Sequence, residues 1–398
     1  MSIEGDPAKK QKKLEKEGEA WAAVYEVAVQ SIFVNSLPQI MENESRWKAE
    51  SPTVVLEALL KDIPDTPKTI RRSSLSCSSL HECQVMLRES QKPSALEAYF
   101  LFKIVGSDPK VLQFDSVAEG RGNSLPPAGS IMCLRDGVRT KKFTGAIKKA
   151  IEELDHTDGA PIRVIDAGCG AIPIMGVYAA LCSPHVVCVC LEMNPESANI
   201  ARQVISSLGL EDRISVLVQD ATEYVPEQPV DLVISETMNT GLLSEPLCDI
   251  MDHLAPHVRP AGIMLPDKVQ TVAASVPSVA YEGAEELIHI YGNASPKVNA
   301  DWQETGMYIP GQLRPRLQAT IAGSATENEA RVVMVASRVS LMGDILDVYD
   351  SLLSIPQPVA VQVKGEVVPK KYVTKVGEHL QVSYLPGEEV GEIGVARV

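Results

Sequence analysis

The sequence predicts an α/β chain in three parts: a helical N-terminal domain over residues 1–115, a doubly wound, mostly parallel sheet over 116–266, and a barrel-like or sandwich-like domain of strands over 267–398. Three observations carry that prediction. Between Arg163 and Leu265, short apolar runs alternate with stretches of helical periodicity, the pattern of consecutive βα units. Beyond Pro266 the chain turns to valine-rich runs of strand length, and in the first hundred residues apolar side chains recur at helical spacing.

With 398 residues, the chain has room for two or three domains. Hydrophobic residues make up 45% of it. Its apolar runs fall short of the roughly 18 residues that span a bilayer, and its polar start lacks a signal-peptide core. No membrane association and a cytoplasmic location are therefore expected. With 52 acidic against 37 basic residues, the net charge is −15, which repels a phosphate backbone; nucleic acid is not an expected partner. The eight cysteines form no C-x-x-C pair, and Cys169, Cys182, Cys188, Cys190 and Cys248 fall where the core of the sheet is predicted, as reduced thiols. None of the seven histidines stands in a recognisable metal-site pattern, so no metal is expected.

The run Lys9 to Glu17 reads as a solvated helix end, with a nuclear signal as the alternative. Trp21, Val24, Tyr25, Ala28 and Ile32 mark one core-facing helix, and Val54, Val55, Ala58 and Leu59 another. Prolines and the cluster Ser73 to Ser79 then break the chain, before a capping box of Ser94 and Glu97 opens a further helix. Asp136 starts a helix with Val138, Phe143, Ala146, Ile147, Ala150, Ile151 and Leu154 on one face. Strands follow at Arg163 to Ala167, Val186 to Leu191, Ile214 to Val218, Asp231 to Ser235 and Gly262 to Leu265, with helices at Ile174 to Leu181, after Asn194-Pro195, and from Ser244 to Leu254. In the last part, strands are expected at Val269 to Val276, Ala330 to Val339, Val359 to Val367, His379 to Tyr384 and Gly391 to Val398, with Glu282 to Gln312 projecting as an arm.

The chemistry gathers at the ends of the parallel strands, where doubly wound sheets bind ligands. The first strand ends on Asp166 and runs through Gly168 and Gly170 into a helix, a Rossmann-like cradle for a nucleotide cofactor. Glu192 ends the second strand, 26 residues on, where a carboxylate can accept from both hydroxyls of a ribose. Asp220-Ala221 follows the third strand; its carboxylate can accept from an adenine amine, or merely cap a helix. A nicotinamide dinucleotide competes for this pattern, but Ala171, Ile172 and Pro173 replace the rest of the three-glycine fingerprint and suit a sulfonium nucleoside better than a pyrophosphate. Together these residues resemble a class I S-adenosylmethionine-dependent methyltransferase.

At the fourth strand, Ser235-Glu236-Thr237-Met238-Asn239-Thr240-Gly241-Leu242-Leu243-Ser244-Glu245 places Glu236 and Glu245 nine residues apart around a Gly-Leu-Leu turn. This is similar to the double-glutamate hairpin of the protein arginine methyltransferases. A guanidinium is planar with five donors in a fixed fork, and carboxylates can grip it bidentately, which suits orientation by Glu236 and proton acceptance by Glu245. Met132 to Thr140 resembles that family's M-x-x-D-x-x-R-T helix, with D-x-x-R-T matching at Asp136 to Thr140 and Met132 one residue too far upstream. The resemblance implies that Arg139, with Met132 beside it, binds the methionine end of S-adenosyl-L-methionine.

The chain departs from the family at Ile172, at Thr237 and Asn239-Thr240, and in lacking a Thr-His-Trp loop, for which Asp301-Trp302 and His379 are remote candidates. That reshaped pocket suits free arginine or another small guanidine or amine rather than a peptide. Other acceptors on the same fold, a small-molecule N-, O- or C-methyltransferase, and a non-catalytic cofactor-binding scaffold remain alternatives. A nucleic-acid methyltransferase would carry an Asn-Pro-Pro-Tyr-like loop at the fourth strand, where Ser-Glu-Thr-Met stands. The resemblance also implies a homodimer paired through the arm, with Leu287, Ile288, Ile290 and Tyr291 available for burial.

Overall fold

Two helices, α1 (38–49) and α2 (Pro52–Lys61), open the described chain. The computed structural model describes residues 36, 38–63, 94–105, 125, 127–154, 160–242, 245–277, 300–322, 330–348, 350–351, 357–358, 361–363, 366–368, 372–373, 379–387 and 394–397. The expected helix over Trp21 to Ile32, the run Lys9 to Glu17 and the residues offered for dimerisation lie outside them. In α2 the Ser51 hydroxyl accepts from the Val54 amide and Pro52 takes the first turn. Its buried stripe is Val55, Leu56 and Leu60, whereas Val54 is 51% exposed. The apolar face is thus turned from the expected one, because Leu56 and Leu60 face the core at the i, i+4 spacing.

Helix α3 (Ala95–Val105) is apolar around its circumference and buried on more than one side: Leu96, Ala98, Tyr99, Phe100 and Leu101 are all inside. Ser94 caps it by accepting from the Glu97 amide at 3.0 Å. The Glu97 carboxylate takes a two-pronged grip from Arg135, at 2.9 and 3.1 Å. That grip ties α3 to the turn after α4 (Pro127–Met132). Trp47 meets Tyr99 edge-on with ring centres 5.5 Å apart. These helices share one continuous core with the parallel sheet.

Asp136 starts α5 (Gly137–Leu154) as expected, its Oδ1 accepting from the Arg139 amide, and all seven predicted apolar positions are buried. Five strands then form a parallel sheet: β1 (Ile162–Ala167), β2 (Val186–Glu192), β3 (Ile214–Val218), β4 (Val230–Ser235) and β5 (Val258–Leu265). Their order is β3-β2-β1-β4-β5. Successive strands therefore step away from β1 on one side and then cross to β4 on the other, and the crevice opens at that reversal. Helices α6 (Ile174–Cys182) and α7 (Pro195–Ser207) make the crossovers, α7 capped by the Asn194 side chain at the Glu196 and Ser197 amides. Helix α8 (Leu247–Leu254) starts after Pro246; the expected start at Ser244 lies outside the described residues. Strand β5 begins earlier than expected, with its register against β4 shifting between Val230 and Leu232. Of the five cysteines placed in the core, Cys169, Cys188, Cys190 and Cys248 are buried and Cys182 is half-buried; all are free thiols.

Beyond the cis Leu265-Pro266 bond the chain is mostly antiparallel and barrel-like. Strand β6 (Lys268–Pro277) pairs with β7 (Gln303–Tyr308) and with β9 (Ala330–Leu341). Strand β8 (Leu317–Ala322) pairs with β15 (His379–Tyr384), and β10 (Asp344–Leu346), β11 (Gln357–Pro358), β14 (Tyr372–Val373) and β16 (Gly394–Arg397) complete the sheets with a short hairpin. Two expectations change here. The supposed arm contains β7, whose Thr305 and Tyr308 are buried against the barrel. The single strand expected over Val359 to Val367 is instead two antiparallel strands, β12 (Val361–Val363) and β13 (Glu366–Val368), paired with each other. No helix among the described residues is long and apolar enough to cross a membrane.

Candidate active site

A cavity of ≈ 540 Å³ opens at the carboxyl ends of the parallel strands, within the range of small-molecule and cofactor sites. It brings Arg139, Asp166, Gly168, Gly170, Glu192, Asp220, Ala221, Glu236 and Glu245 to one wall-to-wall space. Met132 is the remaining predicted residue; its backbone ends α4, between Ser130 and Cys133, which both line the cavity. Among the described residues no group of His, Cys, Asp and Glu is arranged to hold a metal ion.

The glycine loop is shaped by protein contacts. Gly168 (φ +78) lies under the hairpin so closely that a Cβ there would stand 2.2 Å from Thr237 Cγ2, and Gly170 has φ +66. The amides of Gly168 and Cys169 donate to the Leu191 carbonyl, at 2.9 and 3.1 Å. Gly170 donates to Glu192 Oε2 at 2.9 Å, and Ala171 to Ser130 Oγ at 3.0 Å. Ser130, from α4, carries no sequence signal: its partner lies 41 residues away.

The three acids at the strand ends differ in what they already hold. Asp166 accepts from the Gly176 amide of α6 at 2.9 Å, and burial pushes its carboxyl up to about 7 against that amide, with Glu192 adding to the rise. Glu192 accepts from Gly170 and, through Oε1, from Asn194 at 2.8 Å; burial raises its carboxyl while these amides oppose the rise. With the Met193 amide adding to these two, its carboxylate still keeps lone-pair capacity for a ligand hydroxyl. Asp220 Oδ1 caps a local turn, accepting from the Thr222 amide and hydroxyl at 2.8 and 2.7 Å.

At the other end of the cavity Arg139, only 4% exposed, places Nη1 3.0 Å from Glu236 Oε2. Its Nη2 donates to the Cys133 carbonyl, and its buried Nε has no hydrogen-bond partner. Burial drives Glu236 up to about 7 against the attraction of Arg139, with Glu245 and Asp136 pushing the same way as burial. Burial likewise raises Glu245 to about 7, opposed by Arg139.

The hairpin carrying these glutamates is clamped from the barrel. Gly241 (φ 77) donates to Ser337 Oγ of β9 at 2.7 Å, and Gly387 donates to the carbonyl of Leu242, itself at φ 57. Below it, Asp252 of α8 accepts from Tyr308 at 2.8 Å and from Arg314 Nε at 2.5 Å, and Asp249 takes Arg314 Nη2 at 2.7 Å. The remote candidates for a Thr-His-Trp loop stand elsewhere: Trp302 packs against Val276, Val332 and Met334 inside the barrel, and His379 is exposed on β15. Ser351 is the residue that reaches Asp136, its hydroxyl 2.7 Å from Oδ2.

No family model matches the chain. Over 145 residues it is 34% identical to the arginine N(omega)-methyltransferase of Streptomyces achromogenes subsp. streptozoticus, covering 35% of this chain and 38% of that protein. Over 164 residues it is 27% identical to the probable protein arginine N-methyltransferase 6.1 of Oryza sativa subsp. indica, covering 40% of this chain and 41% of that one. The match thus spans about two-fifths of these curated relatives. Among solved structures, Arabidopsis thaliana protein arginine methyltransferase 10 superposes with a TM-score of 0.44 at 13% identity, covering 64% of this chain and 86% of that one. The fold itself rests on the strand order above. By that fold and these sequence matches, the chain resembles the class I S-adenosylmethionine-dependent methyltransferases and, among them, the protein arginine methyltransferase family.

Proposed function

We propose that the protein is an N-methyltransferase that moves the methyl group of S-adenosyl-L-methionine to a guanidino nitrogen. The observation that carries this is the constellation of buried Arg139 with the part-buried Glu236 and Glu245 on a cavity large enough for a nucleoside. The residues fit the cofactor. An orphaned, buried Arg139 Nε donor is suited to a carboxylate, and Glu192 has lone pairs for ribose. The loop amides that a pyrophosphate would need are already bonded to Leu191, Glu192 and Ser130, which disfavours a nicotinamide dinucleotide.

When bound, the cofactor would supply an electrophilic methyl on a sulfonium, whose neutral thioether is the leaving group. The chain's own task is to orient and desolvate the attacking nitrogen. Glu236 is held by Arg139 and orients; Glu245, raised to about 7, is placed to accept the proton that the nitrogen loses. The test is release of S-adenosylhomocysteine on incubation with pools of free guanidines, arginine peptides and small amines. Release with amines, hydroxyls or thiols alone would favour a small-molecule N-, O- or C-methyltransferase, and binding without release a scaffold.

The same reading assigns residues 1–115 to a helical domain, 116–266 to cofactor binding and 267–398 to the acceptor side, in a cytoplasmic homodimer. The free thiols of the core support a reducing compartment. Light scattering tests the dimer: a monomeric mass at micromolar concentration would count against it.

A further inference from the structure

One more acid of the cavity wall, Asp249, belongs to a second charged pair that guanidinium binding does not use. Asp249 lines the cavity, and its Oδ1 holds Arg314 Nη2 at 2.7 Å. Arg314 is fixed from behind by Asp252, which accepts from its Nε. Among the described residues Arg314 Nη1 makes no hydrogen bond, and neither does Asp249 Oδ2. The space beside Nη1 is kept open by Gly387, another lining residue: a Cβ built there would stand 3.2 Å from Nη1. The pair therefore offers one free acceptor and one free donor edge at the mouth, at 59% and 27% side-chain exposure.

We propose that the acceptor is a free α-amino acid bearing a guanidino group, with its ammonium on Asp249 and its carboxylate on Arg314. This inference rests on the guanidine reading above. A zwitterion can dock on an existing ion pair without breaking it, since each ligand charge meets the unused edge of the opposite partner and the four charges alternate. A short aliphatic stem then leads inward to Glu245, four residues before Asp249 in the chain. An arginine inside a peptide presents neutral amides at the same place and gives the pair nothing to exchange.

The experiment compares kcat/KM of the full chain with S-adenosylmethionine and four acceptors: L-arginine, agmatine, Nα-acetyl-L-arginine and an end-blocked Gly-Arg-Gly peptide. L-Arginine is expected to be best, with loss of either charged group costing roughly 3- to 10-fold, the range for a half-exposed charge-assisted contact. Asp249→Asn should lower kcat/KM for L-arginine and narrow its advantage over the acetylated form. Equal or better use of the peptide would overturn the inference while leaving the guanidine reading intact. Methylation of none of the four, with S-adenosylhomocysteine still bound, would remove the guanidine reading and this inference together. The same proportional loss on all acceptors in Asp249→Asn would show a structural role only.

Discussion

Replacing Glu236 by Gln should make cofactor binding tighter while it impairs turnover. In the protein without ligand, Arg139 is neutralised by Glu236 at 3.0 Å, yet its unpartnered Nε is also the donor suited to the cofactor carboxylate. Two carboxylates then share one guanidinium. At roughly 5 Å and an effective dielectric of about 20, like charges repel by about 3 kcal/mol, and salt reduces this. A net gain of about 1–3 kcal/mol is expected in Glu236→Gln, roughly 5- to 150-fold in S-adenosylhomocysteine affinity at pH 8. Because burial holds the Glu236 carboxyl near 7, the wild type relieves the repulsion by taking up a proton, so its affinity should rise as the pH falls from 8 to 6. The variant should lose one proton's worth of that slope, leaving whatever Asp166 and Glu245 contribute. Calorimetry across this pH range reads both quantities. Weaker binding by Glu236→Gln at pH 8 with an unchanged slope would refute the competition and make Glu236 a support for Arg139 instead. Methyl transfer in the same variant should fall at least about tenfold, since one charge-assisted contact to the acceptor is lost.

Further outcomes follow from the same geometry. Glu192→Ala should weaken S-adenosylhomocysteine by about 1–3 kcal/mol, because the ribose contacts and the Gly170 anchor disappear together, measurable by calorimetry. Glu245→Gln should bind the cofactor almost normally while single-turnover methyl transfer drops at least about tenfold. Gly168→Ala should lower the melting temperature, since its Cβ would stand 2.2 Å from Thr237 Cγ2 at φ +78, and Thr237→Ser should restore only part of the loss because the backbone strain stays. Asp166, Glu236 and Glu245 all titrate near 7, above their ordinary values of 3.8 and 4.5, so the folded state binds protons that the unfolded state has released. Stability of the protein should therefore decline between about pH 4 and 7, by on the order of a few kcal/mol, and a flat melting temperature over that range would count against the desolvation of these groups.

The half of the site that was legible in the sequence is the half built by local rules. A strand end, a glycine turn and a helix start are encoded within ten residues, so Asp166, Gly168 and Gly170 could be placed together, and Glu192 followed from the length of one βα unit. Helix α5 was readable for the same reason, its seven apolar positions recurring at one period. What these residues hold was less legible. Asp166 spends one oxygen on the Gly176 amide and Asp220 one on Thr222, so both do structural work that a ligand-centred reading underrates. Strand β7 was hidden in a stretch without strict alternation, because Gly306 and a register shift against β6 interrupt the period.

The acceptor end could not be read from local sequence because its parts meet only through tertiary packing. The Gly241 amide is fixed by Ser337, 96 positions away, and Arg314 reaches Asp249 and Asp252 across 65 and 62. These clamps all run from the barrel to the hairpin and α8, and the hairpin in turn presses Thr237 onto Gly168 in the cofactor loop. A change at Ser337 of β9 or at Arg314 can therefore move the segment that carries Glu236 and Glu245 without touching the residues proposed to hold the cofactor. The converse is expected at Arg139: through its ion pair with Glu236, occupancy of the proposed cofactor end would alter the charge offered to an acceptor. On the proposed reading, cofactor recognition would rest on the parallel sheet and choice of acceptor on how the barrel holds one hairpin, with the Arg139–Glu236 ion pair linking the two.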